Sequence, residues 1–123
     1  MINIVVFASG SGTNFQSIID AVEDGRINGR ICGLITNKSD ITAIERAKNH
    51  KIEHRVLKPS DFETEGDYTR ELLKQLENWN TDLIVLAGYM IKIPVKVIDN
   101  YEGRIINIHP SLLPKYGGKG FYG

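Results

Sequence analysis

Asn107 and His109 carry the most evident chemistry in this 123-residue chain, set two apart in the run Ile105 to Tyr116, I-I-N-I-H-P-S-L-L-P-K-Y. The apolar start of that run reads as a buried strand, and alternate residues of a strand project to the same side, so the amide and the imidazole point together. An amide donor beside an imidazole suits the stabilisation of an oxyanion. The same pair at a strand end can also do no more than satisfy loop backbone.

Two further stretches are competent to bind a ligand. Ser9-Gly10-Ser11-Gly12-Thr13-Asn14 closes an apolar run and opens a helical pattern. A helix N-terminus offers free N–H groups and the positive end of its dipole, so an anion such as phosphate is the natural guest. The match to a dinucleotide fingerprint is incomplete, because Phe15 stands where the third glycine should be and would need different packing. The Gly-Lys-Ser/Thr ending of a nucleotide P-loop is also missing, and Gly118-Lys119-Gly120 lacks the preceding strand. A monophosphate ester is therefore favoured, with a simple tight turn as the alternative. Gly88 to Ile93, G-Y-M-I-K-I, follows another apolar run yet continues apolar. A flat, mostly apolar ligand could pack there while backbone groups read its edge, although core packing accounts for the pattern equally well. His50 and His54 have no acidic or cysteine partner at a metal-binding spacing and read as structural or surface residues, and no metal is expected.

The elements that must position these loops alternate. Ile2 to Ala8 reads as a strand, and Phe15, Ile18, Ile19 and Val22 then recur at helical spacing until Gly25. Arg30 to Thr36 is a second strand, followed by a helix containing Ile44 and Ala47. The third strand, around Ile52 to Leu57, is diluted by His54 and Arg55. Gly66 to Asn80 places Tyr68, Leu72, Leu73 and Leu76 on one helical face. Leu83 to Ala87 is the fourth strand, Pro94 can occupy the first turn of a short helix over Val95 to Asn100, and Arg104 to Ile108 is the fifth strand. Strands apolar on both faces and alternating with helices predict a doubly wound, Rossmann-like, mostly parallel α/β sheet with helices on both sides. In the order 3-2-1-4-5, ligands bind at the carboxyl edge between strands 1 and 4, which would bring all three loops to one cleft.

Composition bounds the rest. The length suits a single domain, spanning residues 1–123. Fifteen basic residues balance fifteen acidic ones, so no global field favours nucleic acid or an anionic membrane, and a small-molecule partner is the better expectation. The single cysteine, Cys32, cannot form an internal disulfide, and Met1 leads directly into strand pattern without a signal peptide, so a cytoplasmic protein is expected. The oligomeric state is not legible.

The motifs F-A-S-G-S-G-T-N at Phe7 to Asn14, L-A-G-Y-M at Leu86 to Met90, and N-I-H-P-S-L-L-P-K-Y at Asn107 to Tyr116 closely resemble the phosphoribosylglycinamide formyltransferase family. The third motif is shared in variant forms by formyltetrahydrofolate-using enzymes, and the first narrows the choice. The resemblance implies the formyltransferase fold and transfer of a formyl group from 10-formyltetrahydrofolate to the glycinamide amine during purine synthesis. Gly12, Thr13 and Asn14 would hold the substrate phosphate, and Gly88 and Pro110 would border the glycinamide. Met90, Ile91, Lys92 and Ile93, with Asn107, would cradle the folate, and Asn107 and His109 take the catalytic positions. Formyltetrahydrofolate deformylase, methionyl-tRNA formyltransferase and a non-catalytic phosphate-ligand domain are the competing readings. Two departures stand out. Glu65 occupies the place of an arginine that assists the folate, and so receives no such role. The family also continues beyond the length of this chain, with a catalytic aspartate and a ribose-binding carboxylate in the continuation, so a C-terminally truncated fold is expected.

Overall fold

The β-branched run near the N-terminus forms the centre of the sheet, because from Ile4 onward it is buried on both faces. The computed structural model describes residues 1–108. In chain order these form β1 (Ile2–Phe7), α1 (Thr13–Glu23), β2 (Gly29–Thr36), α2 (Thr42–Asn49), β3 (Glu53–Val56), a 3₁₀ turn (Pro59–Asp61), α3 (Glu65–Asn78), β4 (Leu83–Ala87), α4 (Val95–Asn100) and β5 (Ile105–Ile108). The five strands are all parallel in the order β3-β2-β1-β4-β5, as the sequence predicts. Parallel neighbours need crossover connections, and here the connecting helices cover both faces.

Alternation along β1 divides the core in two. Val5 and Phe7 pack with Leu72 and Leu76 of α3 and Val97 of α4. Ile4, Val6 and Ala8 pack with Phe15, Ile18 and Ile19 of α1 and Ala43 and Ala47 of α2. Phe15, the residue that breaks the dinucleotide fingerprint, is fully buried in this second core.

One irregularity lies at the centre. The β1–β2 register steps from Ile4↔Ile31 to Val5↔Gly33, leaving Cys32 as an extra residue. A bulge of this kind puts two residues opposite one. At Gly33 a Cβ would stand 2.4 Å from the Trp79 ring, so the missing side chain makes room for the indole just beyond the end of α3.

Beyond one-residue shifts at the ends of β1, β2 and β5, three elements differ from the sequence reading. α3 runs Glu65–Asn78 rather than Gly66 to Asn80, because Thr64 caps its start by accepting from the Asp67 N–H at 3.1 Å and Asn80 turns left-handed with φ 50°. Pro94 caps α4 with φ −59° and ψ 144° rather than entering its first turn. β3 is four residues long at the edge of the sheet, with exposed Glu53 and Arg55 alternating with half-buried His54 and Val56, the pattern of a charged and protected edge.

Candidate functional site

Strand register brings the predicted loops together. Phe7 of β1, Leu86 of β4 and Asn107 of β5 lie in one row across the sheet, so the segments that follow β1 and β4 leave the same carboxyl edge on which Asn107 sits. This is the edge and the strand pair expected to receive a ligand in a doubly wound sheet.

At the end of β1 the chain turns through Gly12 into α1. Gly12 has φ 76°, and a Cβ there would meet the Cα and the Cβ of Ala43, each at 2.9 Å. Only glycine fits the backbone angle and the approach of α2 together. No side chain caps α1, whose first internal bond is the Gln16 N–H to the Gly12 carbonyl at 2.8 Å. The N–H groups of Thr13, Asn14 and Phe15 precede that bond and have no place in the helix ladder. Thr13 is exposed and Asn14 half-buried, so an anion can reach these donors.

Two sets of hydrogen bonds hold this loop. Arg46 on α2 donates through Nε to the Ser11 carbonyl at 2.9 Å and through Nη1 to Gln16 Oε1 at 3.2 Å, which places a guanidinium beside the first turn of α1. Ser9, only 3% exposed, donates to Asn37 Oδ1 at 2.6 Å and accepts from the Met90 N–H at 2.8 Å. Its own N–H donates to the Gly88 carbonyl at 3.3 Å. The loops after β1, β2 and β4 therefore share one buried hydroxyl.

Gly88 has φ 73° and reverses the chain after β4. Along the segment that follows, Met90 is 79% exposed while Ile93 is buried. Ile91 is half-buried and Lys92 exposed. The apolar continuation read from the sequence is thus anchored at Ile93 and open at Met90. Tyr89 packs edge-on against Phe7, with ring centroids 5.1 Å apart, and its hydroxyl lies 3.0 Å from that of Tyr68 on α3. Burial pushes both phenols above tyrosine's ordinary 10.0, Tyr89 far above it. Both stay neutral at physiological pH and serve as packing and hydrogen-bonding groups. Glu65 is exposed at the start of α3 and lines a groove of about 440 Å³ with Arg70, Leu73, Pro94 and Lys96.

Asn107 is half-buried on β5. It lies on the same face as Ile105, whose core also contains Phe7 and Ile93 and is packed by Tyr89. The structure thus brings together Gly12, Thr13, Asn14, Gly88, the segment Met90 to Ile93, and Asn107. His109 and Pro110 lie outside the described residues. Among the described residues no group of three acidic, histidine or cysteine side chains could hold a metal ion. His50 bonds Glu23 at 2.8 Å and its Nε2 lies 3.3 Å from Gln16 Nε2, joining α1 to the end of α2.

Comparison with known proteins shows the family and the fold. The family model described as formyl transferase matches residues 2–122. The chain belongs to the formyl transferase family. It is 42% identical over 116 residues to the phosphoribosylglycinamide formyltransferase of Escherichia coli K12, covering 94% of this chain and 55% of that protein. The chloroplastic enzyme of Arabidopsis thaliana is 40% identical over 121 residues, covering 98% of this chain and 41% of that protein. The crystal structure of glycinamide ribonucleotide transformylase 1 from Geobacillus kaustophilus superposes with a TM-score of 0.85 at 42% identity, covering 97% of this chain and 63% of that one. The chain thus spans about half the length of the curated bacterial relatives it matches. The five-stranded parallel sheet with its flanking helices is the fold of this family's formyl transferase structures.

Reading the sequence alone missed Ser9 and Arg46. The serine sits in a Gly-rich turn and looks like turn chemistry, and the arginine sits on the polar face of a short helix. Their roles depend on contacts 28, 35 and 81 residues distant, which no local pattern records.

Proposed function

We propose that this chain forms the phosphate- and folate-binding part of a phosphoribosylglycinamide formyltransferase, which moves a formyl group from 10-formyltetrahydrofolate to the amine of 5'-phosphoribosylglycinamide in purine synthesis. The observation that carries the proposal is the convergence at one sheet edge of the uncapped α1 N-terminus, the open Gly88 to Ile93 segment and Asn107. Relatives named for this activity support it.

In this reading Gly12, Thr13 and Asn14 bind the phosphate through backbone N–H groups and the helix dipole. Met90, Ile91, Lys92 and Ile93 receive the pterin, and Gly88 and Pro110 border the glycinamide. The glycinamide amine attacks the formyl carbon, forming a C–N bond and placing negative charge on the formyl oxygen. Asn107 donates to that oxygen, and a protonated His109 adds a charge-assisted bond. The bond from the formyl carbon to the folate nitrogen then breaks. The folate nitrogen takes a proton as the new amide nitrogen loses one, with His109 as the donor. No covalent enzyme intermediate is required.

Zero net charge supports small-molecule partners over nucleic acid or a membrane. Among the described residues no helix is long and apolar enough to cross a bilayer. A cytoplasmic site fits the single free cysteine, although plant relatives are chloroplastic.

The test gives the full-length protein 10-formyltetrahydrofolate with phosphoribosylglycinamide, with a formyl-accepting tRNA, or with water alone. Formylation of the glycinamide is expected; transfer only to tRNA or only to water overturns the proposal. His109→Ala is expected to depress turnover while leaving affinity for the phosphate ligand within a few-fold. Unchanged turnover removes His109 from the mechanism.

A further inference from the structure

We infer that Ser9 is a positioning residue, whose buried hydroxyl fixes the backbone at Met90 and so sets the height at which the formyl donor lies against the phosphate loop. This rests on the formyl-donor reading of the Gly88 to Ile93 segment.

The geometry is a relay. The Met90 N–H donates to Ser9 Oγ at 2.8 Å, and the same hydroxyl donates onward to Asn37 Oδ1 at 2.6 Å. A hydroxyl can accept and donate at once, and bonds in such a chain polarise one another. The Ser9 N–H to the Gly88 carbonyl adds a second tie on the other side of Tyr89. Packing holds only one side of this point: Tyr89 before it rests against Phe7, whereas the Met90 side chain is 79% exposed and the next buried residue after it is Ile93. An exposed side chain on a pinned backbone is the arrangement that a ligand-facing residue requires.

The other end of the loop is held independently. Arg46 grips the Ser11 carbonyl, and Gly12 rests against Ala43. Loss of the Ser9 hydroxyl should therefore disturb the donor side and spare the phosphate side. A purely structural serine would lower stability and leave both ligands equally affected.

The experiment uses the full-length protein with Ser9→Ala, Asn37→Ala and Asn37→Asp. Amide exchange at Met90 is expected to accelerate about fivefold or more in Ser9→Ala, matching the loss of one ordinary hydrogen bond. Exchange at Val6 and Leu86, in the core strands, should not change. KM for 10-formyltetrahydrofolate should rise by a similar factor while KM for phosphoribosylglycinamide stays within about twofold. Asn37→Ala should move the same two readouts in the same direction, and Asn37→Asp, which keeps an acceptor, should restore them. Unchanged exchange at Met90, or faster exchange with an unaltered donor KM, overturns the inference. So does a parallel rise in both KM values. Should Ser9→Ala fail to fold, the Asn37→Ala and Asn37→Asp pair decides by the same readouts. If the unsubstituted protein does not formylate phosphoribosylglycinamide, the functional reading falls. Met90 exchange and direct titration with 10-formyltetrahydrofolate then still decide the role of Ser9.

Discussion

Gly12→Ala places a methyl group at the tightest junction of the loop that leads into α1. The backbone there has φ 76°, and the added Cβ would stand 2.9 Å from both the Cα and the Cβ of Ala43. A left-handed conformation costs a residue with a side chain about 1–2 kcal/mol. Overpacking a filled site costs about 1–3 kcal/mol. Neither contacted atom can rotate away, so the two add to roughly 2–5 kcal/mol, a large share of a typical stability of about 5–15 kcal/mol. Gly10→Ala is the internal control, since its φ is ordinary and nothing lies within 4 Å of the position. Its cost should stay within about 0.5 kcal/mol. Urea unfolding followed by circular dichroism reads both variants. Relief of the clash moves the start of α1 away from α2, so affinity for a phosphate ester should also fall about tenfold, or about 1.4 kcal/mol. If Gly12→Ala unfolds within about 0.5 kcal/mol of Gly10→Ala, the packing argument for the loop is wrong.

Three further expectations follow from the same site. Asn107→Ala should lower kcat by about a hundredfold or more, roughly 3 kcal/mol of barrier, with little change in KM; an unaltered kcat would remove the amide from the oxyanion. Arg46→Met should weaken phosphate-ester binding by about fivefold at low ionic strength and flatten its salt dependence, because a charge-assisted tie and a nearby cation are lost together. Identical salt slopes in titration calorimetry would rule out an electrostatic part for Arg46. Tyr89 has its folded pKa raised, mainly by desolvation, so its contribution to stability is fully present below pH 10.0 and is lost as pH rises beyond that value. Tyr89→Phe should make stability fall less steeply above pH 10, as followed by unfolding at fixed urea; an unchanged slope would mean that the phenol is not buried as described.

Much of the architecture was legible because parallel strands carry their signal locally. Ile2 to Phe7 and Leu83 to Ala87 are apolar on both faces, and that alone predicts burial between helices. Pairing order followed from the alternation of strands and helices and a known topological preference. Of the candidate site, the two turns were legible, since the glycines at 12 and 88 mark them and both have positive φ. What stayed hidden depends on distant partners. Gly33 carries no local signal of its role, yet it is where Trp79 docks. Phe15 was expected to need its own packing, and the fold supplies this by moving the close glycine contact to Gly12 and Ala43, leaving the ring to fill the core beneath. Capping shifts of one or two residues, at Thr64 and Pro94, depend on backbone angles that composition does not fix.

The loop from Ser9 to Asn14 is tied down at Ser9 by Asn37 and Met90 and at Ser11 by Arg46, all of them partners within the chain. A slack six-residue loop would surrender about 1–2 kcal/mol per residue on being ordered by its ligand. Here folding has already met that cost, so the favourable energy of the anion need not be diverted into shaping its own site. Association should accordingly behave as simple docking, with a single kinetic phase that rises linearly with ligand concentration rather than levelling off at the rate of a loop closure.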